Sequence, residues 1–174
     1  MNSPYAGPIF WNTWFPPHVN CFIWRLCLGR VPTRSNLRSR GVPLDSELCP
    51  LCDNSAETIE NLFYSCPSAK LLWSWLINWC NIKVENHTSL EQFMFNLVDF
   101  TSSKRKRLFL ESAMGCTLWC VWKARNERVF NRKDFSVLFV FNEIQASLFT
   151  WIKFRAKVSS LLWSSWSCKP LDAL

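Results

Sequence analysis

The chain has 174 residues, 49% of them hydrophobic, with eleven Trp and fourteen Phe. That load of large apolar rings excludes a disordered chain and is enough for one compact domain or a domain with a helical extension. The formal net charge of +7 admits an anionic partner without choosing between nucleic acid, a membrane surface and an acidic protein, and solubility alone would account for it equally well.

Pro16 and Pro17 stand before the apolar segment His18–Arg30, and proline is tolerated in the first turn of a helix. Phe22, Ile23, Leu26 and Cys27 then recur at helical spacing, and Gly29 and Pro32 end the segment. Thr33 is placed to cap a second short helix, and Gly41 to close it in the left-handed conformation. Residues 42–56 hold Pro43, Asp45, Pro50, Asp53, Asn54 and Ser55 and read as a loop. A short amphipathic helix is expected over about 57–64. Pro67 opens another, with Leu71, Leu72, Trp75, Leu76 and Trp79 on one broad face.

Thr88 and Glu91 have capping-box spacing before an apolar helix over 89–100. Breakers are sparse beyond this point. Residues 104–130 read as one long helix despite Gly115, and Asp134 or Ser136 caps a last one that runs to about Trp163. The pattern predicts an all-α fold in which helices flank a Cys-rich loop and long C-terminal helices come after it. Composition shifts near residues 80–90, which suggests a tail over 1–9, a first domain over 10–85 and a helical extension over 86–174.

Nine Cys are scattered through the chain. The N-terminal residues lack a basic segment followed by an apolar run, and no apolar stretch approaches the ~18–20 residues of a transmembrane helix. The cysteines therefore read as thiols of an intracellular protein, nuclear or cytoplasmic, with no membrane partner, rather than as a disulfide framework.

The strongest local pattern is Cys49-Pro-Leu-Cys52 in the polar loop, with Cys66 beyond the short helix. Two thiolates separated by two residues grip one ion from a tight turn, and a third supplies another corner of a tetrahedron. The plain alternative is three small apolar side chains. Structural zinc sites take four Cys or His donors, and the chain has two His, His18 and His87. Neither has motif spacing to the cysteines. Cys80 lies a full helix away from Cys66, roughly 20 Å at ~1.5 Å per residue, while His18 remains open as a fourth donor.

Trp11, Pro17-His18-Val19, Phe22 to Leu26, Val31-Pro32-Thr33, Asn36-Leu37, Arg40-Gly41, Cys49-Pro50-Leu51-Cys52, Glu57 to Phe63, Cys66-Pro67 and Trp73 succeed one another in an order that resembles the reverse transcriptase zinc-binding domain family. Such domains lie beyond the polymerase in plant LINE-type non-LTR retrotransposons and also occur as stand-alone copies. Trp119, Trp122 to Asn126 and Arg128 to Phe130 are similar to the region C-terminal to the domain in those polyproteins. The resemblance implies zinc as cofactor, held by a Cys-Cys-His-Cys set. Here that set is Cys49, Cys52 and Cys66, with Asn61 where the family has His. The family usually has Lys at the position of His18, and both departures fit a decaying element copy.

Basic residues form groups: Arg34, Arg38 and Arg40; Lys104, Arg105, Lys106 and Arg107; Arg125, Arg128, Arg132 and Lys133; Lys153, Arg155 and Lys157. Each is a candidate for neutralising phosphates, although any one of them alone reads first as a solvated helix face. The family context implies a partner, RNA or DNA, or a reverse transcriptase or ribonuclease H domain. Nothing suggests a small-molecule substrate. Five scattered Asp provide no paired-metal nuclease or polymerase site, and no phosphate-cradling glycine pattern occurs. A non-enzymatic nucleic-acid-binding module is the leading expectation, with a protein-docking module or a functionless element remnant beside it.

Overall fold

A computed structural model describes residues 11–84 and 88–174, Val98 without its side chain. Among these residues the chain is mostly helical. Helices α1 (Pro17–Cys27), α2 (Arg34–Arg38) and α3 (Pro67–Cys80) surround the Cys loop, and a π-helical turn, Asn61–Ser65, leads into α3. Helices α4 (Leu90–Asp99), α5 (Lys104–Asn131), α6 (Val137–Phe154) and α7 (Trp163–Cys168) complete the order. The one described extended pairing is an isolated antiparallel bridge between Leu48 and Ala56.

The helix starts obey their capping residues. Thr33 accepts from the Asn36 amide, Ser103 from Lys106 and Ser136 from Phe139, which satisfies N–H groups that a helix leaves unpaired at its N-terminus. Gly41 has φ +80°, as its position after α2 required. Two boundaries differ from expectation. Ser89, not Thr88, caps α4 by accepting from the Gln92 amide, while the Thr88 hydroxyl donates to the Gln92 side chain. Helix α6 stops at Phe154 rather than near Trp163: Lys157 takes φ +59°, and the amides of Ala156 and Val158 turn back to the carbonyls of Trp151 and Ile152. A lysine at a left-handed closing position leaves no mark in the sequence, because glycine is the usual occupant.

Helix α5 is the axis of the molecule. Its residues Phe109 to Leu118 are buried without a break, the signature of a helix surrounded on all sides. It packs on α1, α3, α4, α6 and the π-helical turn. One continuous apolar core runs from Phe15 to Trp166 through both halves of the chain. No described helix is long and apolar enough to cross a membrane.

Candidate metal centre

The Cys loop is a tight knuckle. The Cys49 amide donates to the Ser55 carbonyl at 2.7 Å, and the Asp53 amide returns to the Cys49 carbonyl at 2.8 Å. Asp53 takes the left-handed conformation, φ +50°, which an Asp tolerates better than most residues. The bridge between Leu48 and Ala56, with the Glu57 amide on the Glu47 carbonyl at 2.8 Å, closes the base.

Cys66 arrives from the other side. The expected helix over 57–64 is instead a helical turn at Ile59–Glu60 that widens into the π-helical turn, where the Cys66 amide reaches back five residues to the Asn61 carbonyl at 2.8 Å. Such one-turn widenings are frequent at functional sites. Cys66 then leaves the helical conformation (ψ 134°), and Pro67 starts α3 immediately after it. The thiol thus sits at a helix N-terminus, where a negative charge is favoured. Ser68 reinforces the junction by donating from its hydroxyl to the Leu51 carbonyl at 3.3 Å.

These elements bring the Sγ atoms of Cys49, Cys52 and Cys66 within 4.8 Å of one another. Three sulfurs each ~2.3 Å from a tetrahedral zinc would stand ~3.8 Å apart, so the triad is close enough to hold the ion. Cys49 and Cys66 are fully buried, and Cys52 is half-buried. The Cys49 thiol donates to Cys66, and with the Ser68 and Ala69 amides this holds the Cys66 thiol well below its ordinary range. Having given its proton to that bond, and being buried, the Cys49 thiol is pushed up. The thiolate a metal needs is prepared at Cys66.

No other described His, Cys, Asp or Glu joins the cluster. His18, the open candidate for a fourth donor, is exposed on α1 with its ring 5.0 Å from that of Trp119. It is not in the cluster, because α1 turns that face toward α5. Cys80 is buried at the far end of α3, its thiol pushed up to about 12 by desolvation. His87 lies outside the described residues. Asn61 is buried and its carboxamide is engaged locally: Nδ2 donates to the Ala56 carbonyl at 3.0 Å, and Oδ1 accepts from the Ser65 hydroxyl at 3.4 Å.

Residues 3–73 match the family described as zinc-binding in reverse transcriptase. Over this segment the chain is similar to the reverse transcriptase zinc-binding family. Neither the curated proteins nor the solved structures gave a match to the chain. A zinc-binding domain and a thiol triad of metal-holding dimensions thus coincide on the same residues.

The family segment ends inside α3, yet its knuckle is secured by a helix far beyond it. The carboxylate of Glu57 is wholly buried. It takes a two-pronged bond from Arg125 of α5, Nε at 2.6 Å and Nη2 at 2.8 Å, and also accepts the Arg34 amide at 2.8 Å. The Arg125 guanidinium lies 5.0 Å from the centre of the Trp122 ring. Arg128 adds an ion pair to Asp53 at 3.2 Å. Neither role shows in the sequence, where Arg125 and Arg128 stand in a basic group and Glu57 at the expected start of a short amphipathic helix. Partners 68 residues apart leave no local spacing to find.

The other basic groups divide. Arg34 donates to the Leu48 carbonyl at 2.6 Å and Arg38 pairs with Glu47 at 2.7 Å, so both brace the loop, while Arg40 is exposed. Arg107 pairs with Glu111, and Lys133 with Glu127. Lys104, Arg105 and Lys106 are exposed and form no ion pair with a described acidic group.

Proposed function

We propose that the chain is a non-catalytic, retroelement-derived module that binds RNA or DNA through its surface, with zinc held by Cys49, Cys52 and Cys66. The N-terminus of α5 carries this reading. Four consecutive basic residues, Lys104 to Arg107, occupy its first turn with no acidic residue among them. A helix N-terminus carries a partial positive charge, so cations there are disfavoured. Three of the four have no described acidic partner. A sequence that breaks a local rule without compensation points to function, and the field so concentrated suits phosphate. When bound, zinc supplies a cross-link between the knuckle and α3 and no bond chemistry. The chain's own residues shape the loop, hold the Cys66 proton off and present the basic turn.

A docking role on a reverse transcriptase or ribonuclease H domain is the second reading. It is favoured by Phe130, Phe139, Phe154 and Leu162, each well over half exposed. Salt separates the two. The affinity of the whole chain for a labelled single-stranded RNA or DNA should fall steeply with salt. Replacing Lys104, Arg105 and Lys106 by Ala should flatten the log–log slope by about 2, at ~0.7 for each phosphate no longer neutralised. An affinity indifferent to both salt and these residues would remove the nucleic-acid reading and leave docking.

A further inference from the structure

Resting on the reading of Cys49, Cys52 and Cys66 as metal ligands, we infer that the centre is a three-thiolate site whose fourth position is open to a neutral nitrogen donor from solution, an imidazole. The donor set does not make a closed structural zinc site, which takes four Cys or His groups. Three described groups converge within 4.8 Å and no fourth described one joins them.

Asn61 does not make up the difference. Its amide nitrogen and oxygen are both committed, to the Ala56 carbonyl and the Ser65 hydroxyl. Its backbone is committed as well: the amide donates to the Thr58 hydroxyl at 2.9 Å, and the carbonyl accepts from Cys66. Turning the carboxamide toward a metal would break both of these bonds.

Burial sets the direction of approach. Cys49 and Cys66 are fully buried, whereas Cys52 is half-buried, so solvent meets a seated ion on the Cys52 side. Charge sets the class of donor. A divalent ion on three thiolates carries a net charge of −1. A fourth thiolate would raise it to −2 in a half-buried place, which costs desolvation that a neutral imidazole does not. Zinc sites with three protein ligands and an open position are the arrangement that admits an outside ligand.

Cobalt(II) tests this, since its visible bands report the donors around it. The full chain, reduced with a phosphine in thiol-free buffer, is loaded with one equivalent of cobalt(II) and titrated with imidazole, beside an Asn61→His variant. The expected result is a saturable change in the parent bands toward those of the variant, with the variant indifferent to imidazole. Parent bands that do not move would show that a group of the chain already completes the set, and would overturn the inference. Equal responses in both chains would show imidazole displacing a thiolate rather than filling an open position, and would overturn it too. Cobalt bound by neither chain would overturn the metal-centre reading itself, a distinct outcome visible before any imidazole is added.

Discussion

Glu57 has the most demanding position of any single residue, because its carboxylate is wholly buried and serves two elements at once. Removing one partner of a buried ion pair leaves an uncompensated charge, at a cost of ~3–5 kcal/mol. Arg125→Met should therefore destabilise the chain by about that much in denaturant unfolding. Arg125→Lys should recover little of the loss, since an ammonium cannot reproduce the two-pronged fork. Full rescue by Lys would show that charge alone matters. Glu111 makes the opposite case. Burial raises its pKa above the usual carboxylate range despite Arg107 and Asn12 beside it. A raised carboxylate stabilises fully below its unfolded pKa, ~4.3, and that contribution is lost as pH rises through the folded value. The stability of Glu111→Gln relative to the parent should thus climb with pH from about 4.3 and level off above the folded pKa. A difference that stays flat across that range would mean the burial is without electrostatic consequence. The cysteine cluster was legible at this scale because two residues of spacing and an adjacent Pro are local facts. Glu57, Arg125 and the Asn12–Glu111 contact were not, because each depends on which helices meet.

Elements were legible where the chain carries its own punctuation. Pro17 and Pro67 start helices, Thr33 and Ser136 cap them, and α5 spans nearly the residues its pattern implied. The π-helical turn and the early end of α6 escaped, since neither contains a glycine or proline to announce it. Gly115 is informative in another way. It lies in the middle of α5, where glycine costs about 1 kcal/mol against alanine, so propensity alone makes Gly115→Ala stabilising. Tertiary packing reverses the sign. An added Cβ would stand 2.3 Å from Cζ of Phe15, a ring that is itself fully buried and set edge-on to Trp151. Gly115→Ala is expected to destabilise by about 1–3 kcal/mol through overpacking. Adding Phe15→Leu should make the two changes less than additive, because the shorter side chain removes the collision. A thermal melt of the four proteins in this cycle decides it, and a plain gain in stability from Gly115→Ala would show that the ring yields freely.

At the scale of the whole molecule, described helices on the two sides of the composition shift near residues 80–90 pack on one another. Phe22 of α1 and Phe63 of the π-helical turn both lie against Trp122 of α5, and His18 and Phe22 against Trp119. The Trp79 indole donates to the Ser167 carbonyl at 3.0 Å, 88 residues away. A fragment ending at residue 84 would keep the thiol triad and the whole family segment. It would lose every one of these partners, and it would leave the buried Glu57 carboxylate without Arg125. The fragment is only just longer than the ~70–80 residues below which a lone core supplies little surplus stability, and a bound metal is one of the usual remedies near that size. Here the remedy is itself short of a fourth described ligand. The fragment is expected to melt without a cooperative transition, with or without an equivalent of zinc, while the full chain melts cooperatively. Its Asn61→His form, given zinc, should regain part of the transition, since a fourth protein ligand converts metal affinity into folding energy. A fragment that folds cooperatively without metal would mean that α5 rests on the zinc-binding segment without supporting it, and that Arg125 fills a place the knuckle could do without.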